Sequence, residues 1–154
     1  MMSLQEISDR LEIQQLLVKY SHAIDFHDWD ALDEVFTPDA IIDYTEMGAG
    51  RGDLAYQKKF LAEALPSFHS YYHMVATSLV TIDGDTAEGR TICHNPMVFA
   101  PDTTMICGLW YRDKFVRTPD GWRIKERYEE KCYTGMMAPM PAERPTGDGA
   151  PSPS

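Results

Sequence analysis

Cysteines, long apolar runs and basic residues are all scarce in this chain, and each scarcity excludes a class of protein. The cysteines number only 3 in 154 residues, too few and too widely spaced for a disulfide framework or a paired-cysteine zinc site. We expect them to be reduced thiols. No apolar run approaches the roughly 20 residues of a membrane helix. Acidic residues stand where a signal peptide would be basic and then apolar, so we expect a cytoplasmic protein.

The charge balance limits the partners that the chain can attract. Lys and Arg total 14 against 24 Asp and Glu, which gives a formal net charge of −10. Such a surface repels phosphate backbones and anionic lipids. We therefore expect neither a nucleic acid nor a membrane as partner.

The length of 154 residues suits one domain with a continuous core. We place this domain at residues 1–134. The remaining residues, 135–154, are rich in Pro, Gly and Ser and predict a tail without regular structure. Its methionines would allow it to cover the mouth of a hydrophobic pocket.

The first helix is the clearest element of the sequence. Ser3 and Glu6 form a capping box, and the helical period runs from there to about Phe26. Asp25 continues one of two apolar lines on this helix, so we expect a partly buried carboxylate that needs a partner. The first line is Leu4, Ile7, Leu11 and Val18, and the second is Ile13, Leu17, Tyr20 and Ile24.

Two further helices are predicted before the chain changes period. Asp28 is a typical N-cap for a short helix over residues 29–36, and Asp53 for a longer one over residues 54–65. Pro38 and Pro66 stop them. Between them, residues 40–44 alternate as a strand.

Two long hairpins are predicted after residue 67. The first joins residues 71–82 and 85–99 through Asp83-Gly84, and the second joins residues 103–116 and 122–133. Without a bulge, this register places His73 directly opposite His94. The element order predicts an α+β fold in which three N-terminal helices cover one face of a strongly curved, mostly antiparallel sheet. A cone-shaped pocket between the layers would suit a small molecule.

A few polar and aromatic side chains could work in such a pocket. A carboxylate that accepts from one imidazole nitrogen leaves the other nitrogen as a general base, which is what Asp25 and His73 could form. A buried structural contact without chemistry explains the same pair equally well. The candidate catalytic residues are Asp25, His73, His94 and Tyr44, and the candidate substrate-binding aromatics are Tyr20, Tyr72, Trp110 and Tyr128.

Other chemistry has weaker support in the sequence. His69 and His73 have metal-ligand spacing only on a helix, and this segment is predicted to be extended, so we expect no metal. No motif suggests a cofactor. The alternating charges at residues 123–131 indicate a solvated or intersubunit face of the sheet.

Several motifs together resemble a known family. They are Ile13-Gln14-Gln15-Leu16-Leu17, Ala23-Ile24-Asp25, Asp28-Trp29-Asp30-Ala31-Leu32, Val35-Phe36-Thr37-Pro38-Asp39-Ala40, Arg51-Gly52 and Gly121-Trp122-Arg123-Ile124. Across residues 4–133 the chain resembles the SnoaL-like branch of the nuclear transport factor 2-like superfamily. This branch is similar to scytalone dehydratase and hexachlorocyclohexane dehydrochlorinase, which use an Asp-His pair as general base. The resemblance implies that role for Asp25 and His73, a second histidine at His94 and a substrate-binding tyrosine at Tyr44.

Three functions remain open at the level of sequence. The first is a cofactor-independent lyase of dehydratase type acting on a small, hydrophobic, cyclic substrate. The second is an isomerase or cyclase for a polyketide-like or steroid-like ring. The third is a non-catalytic protein that binds a small molecule. The resemblance also implies a homo-oligomer, either a trimer or a dimer.

Overall fold

The computed structural model describes residues 1–99 and 103–137 of the chain. It has two α-helices, α1 at Leu4–Asp25 and α2 at Leu54–Ala64, and short 3₁₀ turns at Asp30–Glu34, Thr45–Met47 and Leu65–Ser67. The predicted N-caps Ser3 and Asp53 are confirmed, but within the described residues Glu6 does not complete the predicted capping box and instead accepts from Arg10 at 3.1 Å. The Ser3 hydroxyl accepts from the Glu6 amide at 3.1 Å, and the Asp53 carboxylate accepts from the Tyr56 amide at 2.8 Å. No helix among these residues combines the length and the apolar character needed to cross a bilayer.

The prediction of three helices is wrong, because the second one is only a 3₁₀ turn. Asp28 caps it as expected, accepting from the Ala31 amide at 3.2 Å. The helix cannot extend, because the Val35 carbonyl already accepts from the Ile124 amide at 2.8 Å. Phe36 is then the first residue of a strand. A tertiary contact therefore overrides the helical period here.

Seven strands form one open, mixed sheet. Their order is β2-β1-β7-β6-β5-β3, and β4 pairs with another part of β5. Only β1 and β7 run parallel; the other pairs are antiparallel. Among the residues that the structure describes, the two ends of the sheet do not pair, so the sheet does not close into a barrel. The strands are β1 at Phe36–Asp43, β2 at Arg51–Gly52, β3 at Ser70–Tyr71, β4 at Met74–Asp83, β5 at Thr86–Phe99, β6 at Thr103–Thr118 and β7 at Gly121–Met137.

Strand β7 continues to Met137, beyond the predicted domain boundary at residue 134. The rest of the proposed tail, including Met140, lies outside the described residues. The prediction that the tail covers a pocket mouth therefore stays a prediction.

The first hairpin has a different register from the predicted one. Its turn is Gly84-Asp85, one residue later than expected, and Gly84 has a φ of 59°, where a residue without Cβ is favoured. A bulge between Ala76 and Ser78 shifts the register again, with Thr77 at a φ of 51°. As a result His94 pairs with Met74, and the predicted pairing with His73 is wrong.

The core lies between α1 and one face of the sheet. The second apolar line of α1 is buried there, whereas the side chains of the first line, Leu4, Ile7, Leu11 and Val18, are exposed. Asp9, rather than one of those residues, occupies the buried position near the start of the helix. Both its oxygens accept from Arg117, at 2.7 and 2.8 Å, and Oδ1 also accepts from Trp122 Nε1 at 3.1 Å.

Replacing Asp9 by Asn should lower the free energy of unfolding by about 1.5–3 kcal/mol at neutral pH, because it removes charge-assisted hydrogen bonds in a buried site. The bonds from Arg117 hold the pKa of Asp9 well below its ordinary value of 3.8. A depressed pKa contributes stability above the ordinary value and loses it as pH falls through the folded-state value. The difference in the free energy of unfolding between wild type and variant, measured by urea titration, should therefore become smaller as the pH is lowered. Glu12→Gln, an exposed change on the same helix, is the control.

Candidate active site

Asp25 and His73 are brought together where α1 meets the sheet. Asp25 is the last residue of α1, and the chain turns directly after it through His27, whose φ is 59°. His73 lies between β3 and β4. The Asp25 carboxylate accepts from the His73 backbone amide at 3.0 and 3.1 Å and lies 2.7 Å from ring atom Nδ1. Backbone and ring are thus held by one carboxylate.

This arrangement fixes the proton on the His73 ring. An ionised carboxylate only accepts, so Nδ1 donates and Nε2 carries the free lone pair. Nε2 has no hydrogen-bond partner among residues 1–99 and 103–137. The side chains of His73 and Asp25 are 10% and 19% exposed. The pair is therefore partly shielded from water while one basic nitrogen stays available.

Two buried tyrosines adjoin this pair. The hydroxyls of Tyr20 and Tyr44 are hydrogen-bonded at 2.7 Å, and the Tyr20 ring meets the His73 ring edge-on with centroids 6.4 Å apart. Burial raises the pKa of Tyr20 to about 12 and the pKa of Tyr44 well above its usual value. Both hydroxyls thus keep their protons at neutral pH and can act as donors.

An ion pair lies beneath the tyrosines. The Arg127 guanidinium donates to both oxygens of Asp113, each at 2.8 Å, and neither side chain is exposed. Its central carbon lies 4.1 Å from the centroid of the Tyr20 ring and 4.0 Å from that of Tyr111. These contacts hold the rings of Tyr20 and Tyr111 in place.

Glu129 also points into this interior. It lies two residues beyond Arg127 on β7, directly opposite Tyr111, and is 7% exposed. Burial raises the pKa of Glu129 to about 8. Arg127 and Glu129 were not among the predicted site residues, because the alternating charges of residues 123–131 predicted a solvated or intersubunit face.

A bulge at Lys125 explains that error. Ile124 pairs with Phe115 and Glu126 with Lys114, so Lys125 is an extra residue on β7. Before the bulge the even-numbered residues face the core, and after it the odd-numbered ones do. One inserted residue exchanges the two faces of a strand. The only signal in the sequence for the inward placement of Arg127 and Glu129 was the steady alternation of residues after the bulge.

Three predicted site residues lie on the face of the sheet that points away from α1, which we call the outer face. His94 alternates with the buried residues Cys93 and Asn95 and therefore points outward. The Trp110 ring stacks against the Arg90 guanidinium at 4.2 Å, and the Tyr128 hydroxyl donates to Glu46. The structure does not bring these residues to the Asp25–His73 pair. The bulge at Lys125 turns Tyr128 outward, and His94 and Trp110 alternate with buried neighbours on β5 and β6. Tyr72 is exposed beside His73.

Open space occurs at several places in the structure. A hollow of about 400 Å³ lies between α1 and β4, lined by residues that include Leu17, Val75 and Thr91. Another of about 530 Å³ lies on the outer face. Asp25 and His73 line neither of these. Within the described part of the chain, no three His, Cys, Asp or Glu side chains are grouped closely enough to hold a metal ion.

The structure thus defines a small α+β domain with a carboxylate-histidine pair between its first helix and its sheet. The chain belongs to the SnoaL-like domain family, which matches residues 5–128. It is similar to an uncharacterized protein of Mycobacterium tuberculosis, with 57% identity over 139 residues, 89% of this chain and 95% of that one. The family resemblance found in the sequence is confirmed.

Two solved structures share the fold. A type 2 hexachlorocyclohexane dehydrochlorinase is 16% identical with a TM-score of 0.79, covering 93% of this chain and 98% of its own. A candidate scytalone dehydratase of Novosphingobium aromaticivorans is 18% identical with a TM-score of 0.76, covering 94% and 97%. At these identities the likeness concerns the fold.

Proposed function

We propose that this protein is a cofactor-independent lyase of dehydratase type acting on a small, hydrophobic, cyclic substrate. The observation that carries the proposal is the 2.7 Å contact between Asp25 and His73, with Nε2 unpartnered among the described residues. Such a pair supplies a general base, with the carboxylate orienting the ring. The names of the two structural neighbours, a dehydrochlorinase and a dehydratase, agree with an elimination.

In the proposed reaction, Nε2 of His73 removes a proton from a carbon next to a carbonyl. The electron pair of that C–H bond forms a C=C bond, and the hydroxyl on the neighbouring carbon leaves as water after taking up a proton. The Asp25 carboxylate stabilises the imidazolium that results. Tyr44, whose hydroxyl stays protonated, would donate to the substrate carbonyl, and Tyr20 would hold Tyr44 in place.

Replacing His73 by Ala should lower turnover of a substrate by about 10²–10⁴-fold, the usual contribution of a general base. A panel of cyclic β-hydroxy ketones, followed by mass spectrometry, would identify such a substrate. Loss of water supports the lyase, a product of unchanged mass supports an isomerase or cyclase, and tight retention without conversion supports a binding protein. His69→Ala, an exposed histidine nearby, is the matched control. Unchanged turnover in His73→Ala would contradict the proposed role of the pair.

We also propose that the outer face forms the contact in a homo-oligomer, either a dimer or a trimer. Trp110 and Arg90 stack on this face, and Arg90 donates to Glu130 at 2.9 Å. Trp and Arg are both enriched at interfaces between subunits. Light scattering on the purified protein and on Trp110→Ala gives the number of subunits directly, and a monomeric wild type would contradict the proposal.

A further inference from the structure

Glu129 is a buried carboxyl group that the proposed reaction does not yet use. It is 7% exposed and has no hydrogen-bond partner among the residues that the structure describes. Arg127, the nearby cation, gives its two-pronged contact to Asp113 through Nε and Nη2, and its Nη1 makes no hydrogen bond to Glu129 or to any other described residue. A polar group that is buried without a partner is costly and calls for a functional explanation.

The position of Glu129 places it in the same interior as the dyad. It lies directly opposite Tyr111 on the neighbouring strand. The Tyr111 ring meets Tyr20 with centroids 5.4 Å apart, and the Tyr20 ring in turn meets His73 at 6.4 Å. The rings of Tyr20 and Tyr111 thus connect Glu129 with His73 on the inner face of the sheet.

We propose that Glu129 is a catalytic acid of this site, which gives its proton to the oxygen that leaves the substrate. The inference rests on the proposed lyase function and deepens it. It assigns the substrate to the alcohols, because a hydroxyl needs a proton to leave and a halide does not.

The surroundings of Glu129 favour its neutral form. Burial has the largest effect on the pKa of Glu129 and raises it, Arg127 lowers it, and the Asp113 carboxylate raises it, so that the pKa lies at about 8. At pH 7 a group with this pKa is mostly protonated. The titratable groups that face it are Arg127 and Lys131 on its own strand, Cys107, Tyr111 and Asp113 on β6, Cys93 on β5, Tyr20 on α1 and Tyr44 after β1.

His73 and Glu129 together account for every proton and electron pair that moves in the elimination. Nε2 of His73 takes the proton from carbon, the C–H electron pair becomes the double bond, and the C–O bond breaks toward oxygen. Glu129 protonates that oxygen, so water departs and a carboxylate remains. The proton on His73 then returns to Glu129 through water, which restores both groups without any added oxidant or reductant.

Three related probe molecules distinguish the role of His73 as the base from the role of Glu129 as the acid. A cyclic ketone without a leaving group reports proton abstraction through deuterium uptake from D₂O. The same ring with a β-chloro substituent reports elimination without an acid, and the β-hydroxy ring reports elimination with one. All rates are compared after subtraction of the uncatalysed reaction.

Glu129→Gln should keep deuterium uptake and loss of chloride within about threefold of wild type while loss of water falls by about 10²-fold or more. Gln has the shape of the neutral acid, so the fold is preserved, which circular dichroism checks. Glu130→Gln is the matched control, because Glu130 is the next residue on β7 but lies on the outer face, paired with Arg90 and Arg112. This control should leave all three rates unchanged.

Other outcomes overturn the inference in distinguishable ways. If Glu129→Gln affects no rate, or lowers all three equally, Glu129 is not the acid, while the function of His73 stands. If the wild type neither exchanges deuterium nor eliminates, the proposed function fails and this inference fails with it.

A measurement without substrate tests the protonation of Glu129 independently. The carbonyl stretch of a protonated carboxylic acid lies above the amide band in infrared spectra. The difference spectrum of wild type minus Glu129→Gln should show this band at pH 6 and lose it as pH rises through about 8. Its absence at pH 6 would overturn the inference.

Discussion

Replacing Asp113 by Ala is expected to lower the free energy of unfolding by about 3–5 kcal/mol, because it leaves a buried guanidinium without its counter-ion. Asp113 accepts two hydrogen bonds from Arg127 at 2.8 Å, and neither side chain reaches solvent. The loss would also loosen the rings that lie on Arg127. Urea denaturation measures this change in the free energy of unfolding. The m-value, which is the slope of that free energy against urea concentration, should be the same for wild type and variant.

A second ion pair on the same two strands provides the control. Glu126 and Lys114 are 2.9 Å apart and largely exposed, so Glu126→Ala should cost about 1 kcal/mol or less. Equal costs for Asp113→Ala and Glu126→Ala would contradict the prediction. Replacing both partners, as in Asp113→Leu with Arg127→Met, should restore much of the loss, because it removes the uncompensated charge.

Replacing Asp25 by Asn is expected to lower the rate of proton abstraction by about 10²–10⁴-fold at neutral pH. An amide can present its NH₂ group to Nδ1 of His73, which moves the ring proton to Nε2 and leaves no base facing the substrate. The amide oxygen can still accept from the His73 backbone amide, as the carboxylate does at 3.0 Å. Folding should therefore survive while the chemistry is lost.

Deuterium uptake from D₂O measures this effect directly, and a melting curve shows whether the fold is retained. Asp28→Asn is the control, since Asp28 caps the neighbouring 3₁₀ turn through the Ala31 amide. If Asp25→Asn exchanges deuterium as fast as wild type, Asp25 has only a structural role.

Local signals were sufficient for the helix caps, whereas the Asp25–His73 pair was predicted with the help of the family resemblance. The capping side chains of Ser3 and Asp53 act within one helical turn, so the sequence contains the whole interaction. The contact of Asp25 with His73 spans a long stretch of chain, and it was predicted because a carboxylate on a buried helix end needs a partner.

The bulges were not predictable from the sequence. Thr77 is β-branched and adopts a φ of 51°, a conformation that its residue type disfavours, and Lys125 has no feature that marks a bulge within its strand. Each bulge is determined by the neighbouring strands rather than by its own residue type. The bulge at Lys125 exchanges the faces of β7, so the outward placement of Tyr128 and the inward placement of Glu129 follow from it. The outward placement of His94 follows from the alternation of β5 itself, in which Cys93 and Asn95 are buried.

The parallel pairing of β1 with β7 has a consequence for the order in which the chain folds. Phe36 pairs with Ile124 and Asp43 with Tyr128, so an early strand completes its hydrogen bonds only with the last one. During synthesis β1 emerges from the ribosome long before β7 has been made. Its apolar residues therefore stay without their strand partner during that time. Closing so long a loop also slows folding, because its entropic cost precedes any gain from the contacts. The growing chain therefore has an extended period in which it depends on protection from aggregation, and this period ends only when β7 has emerged.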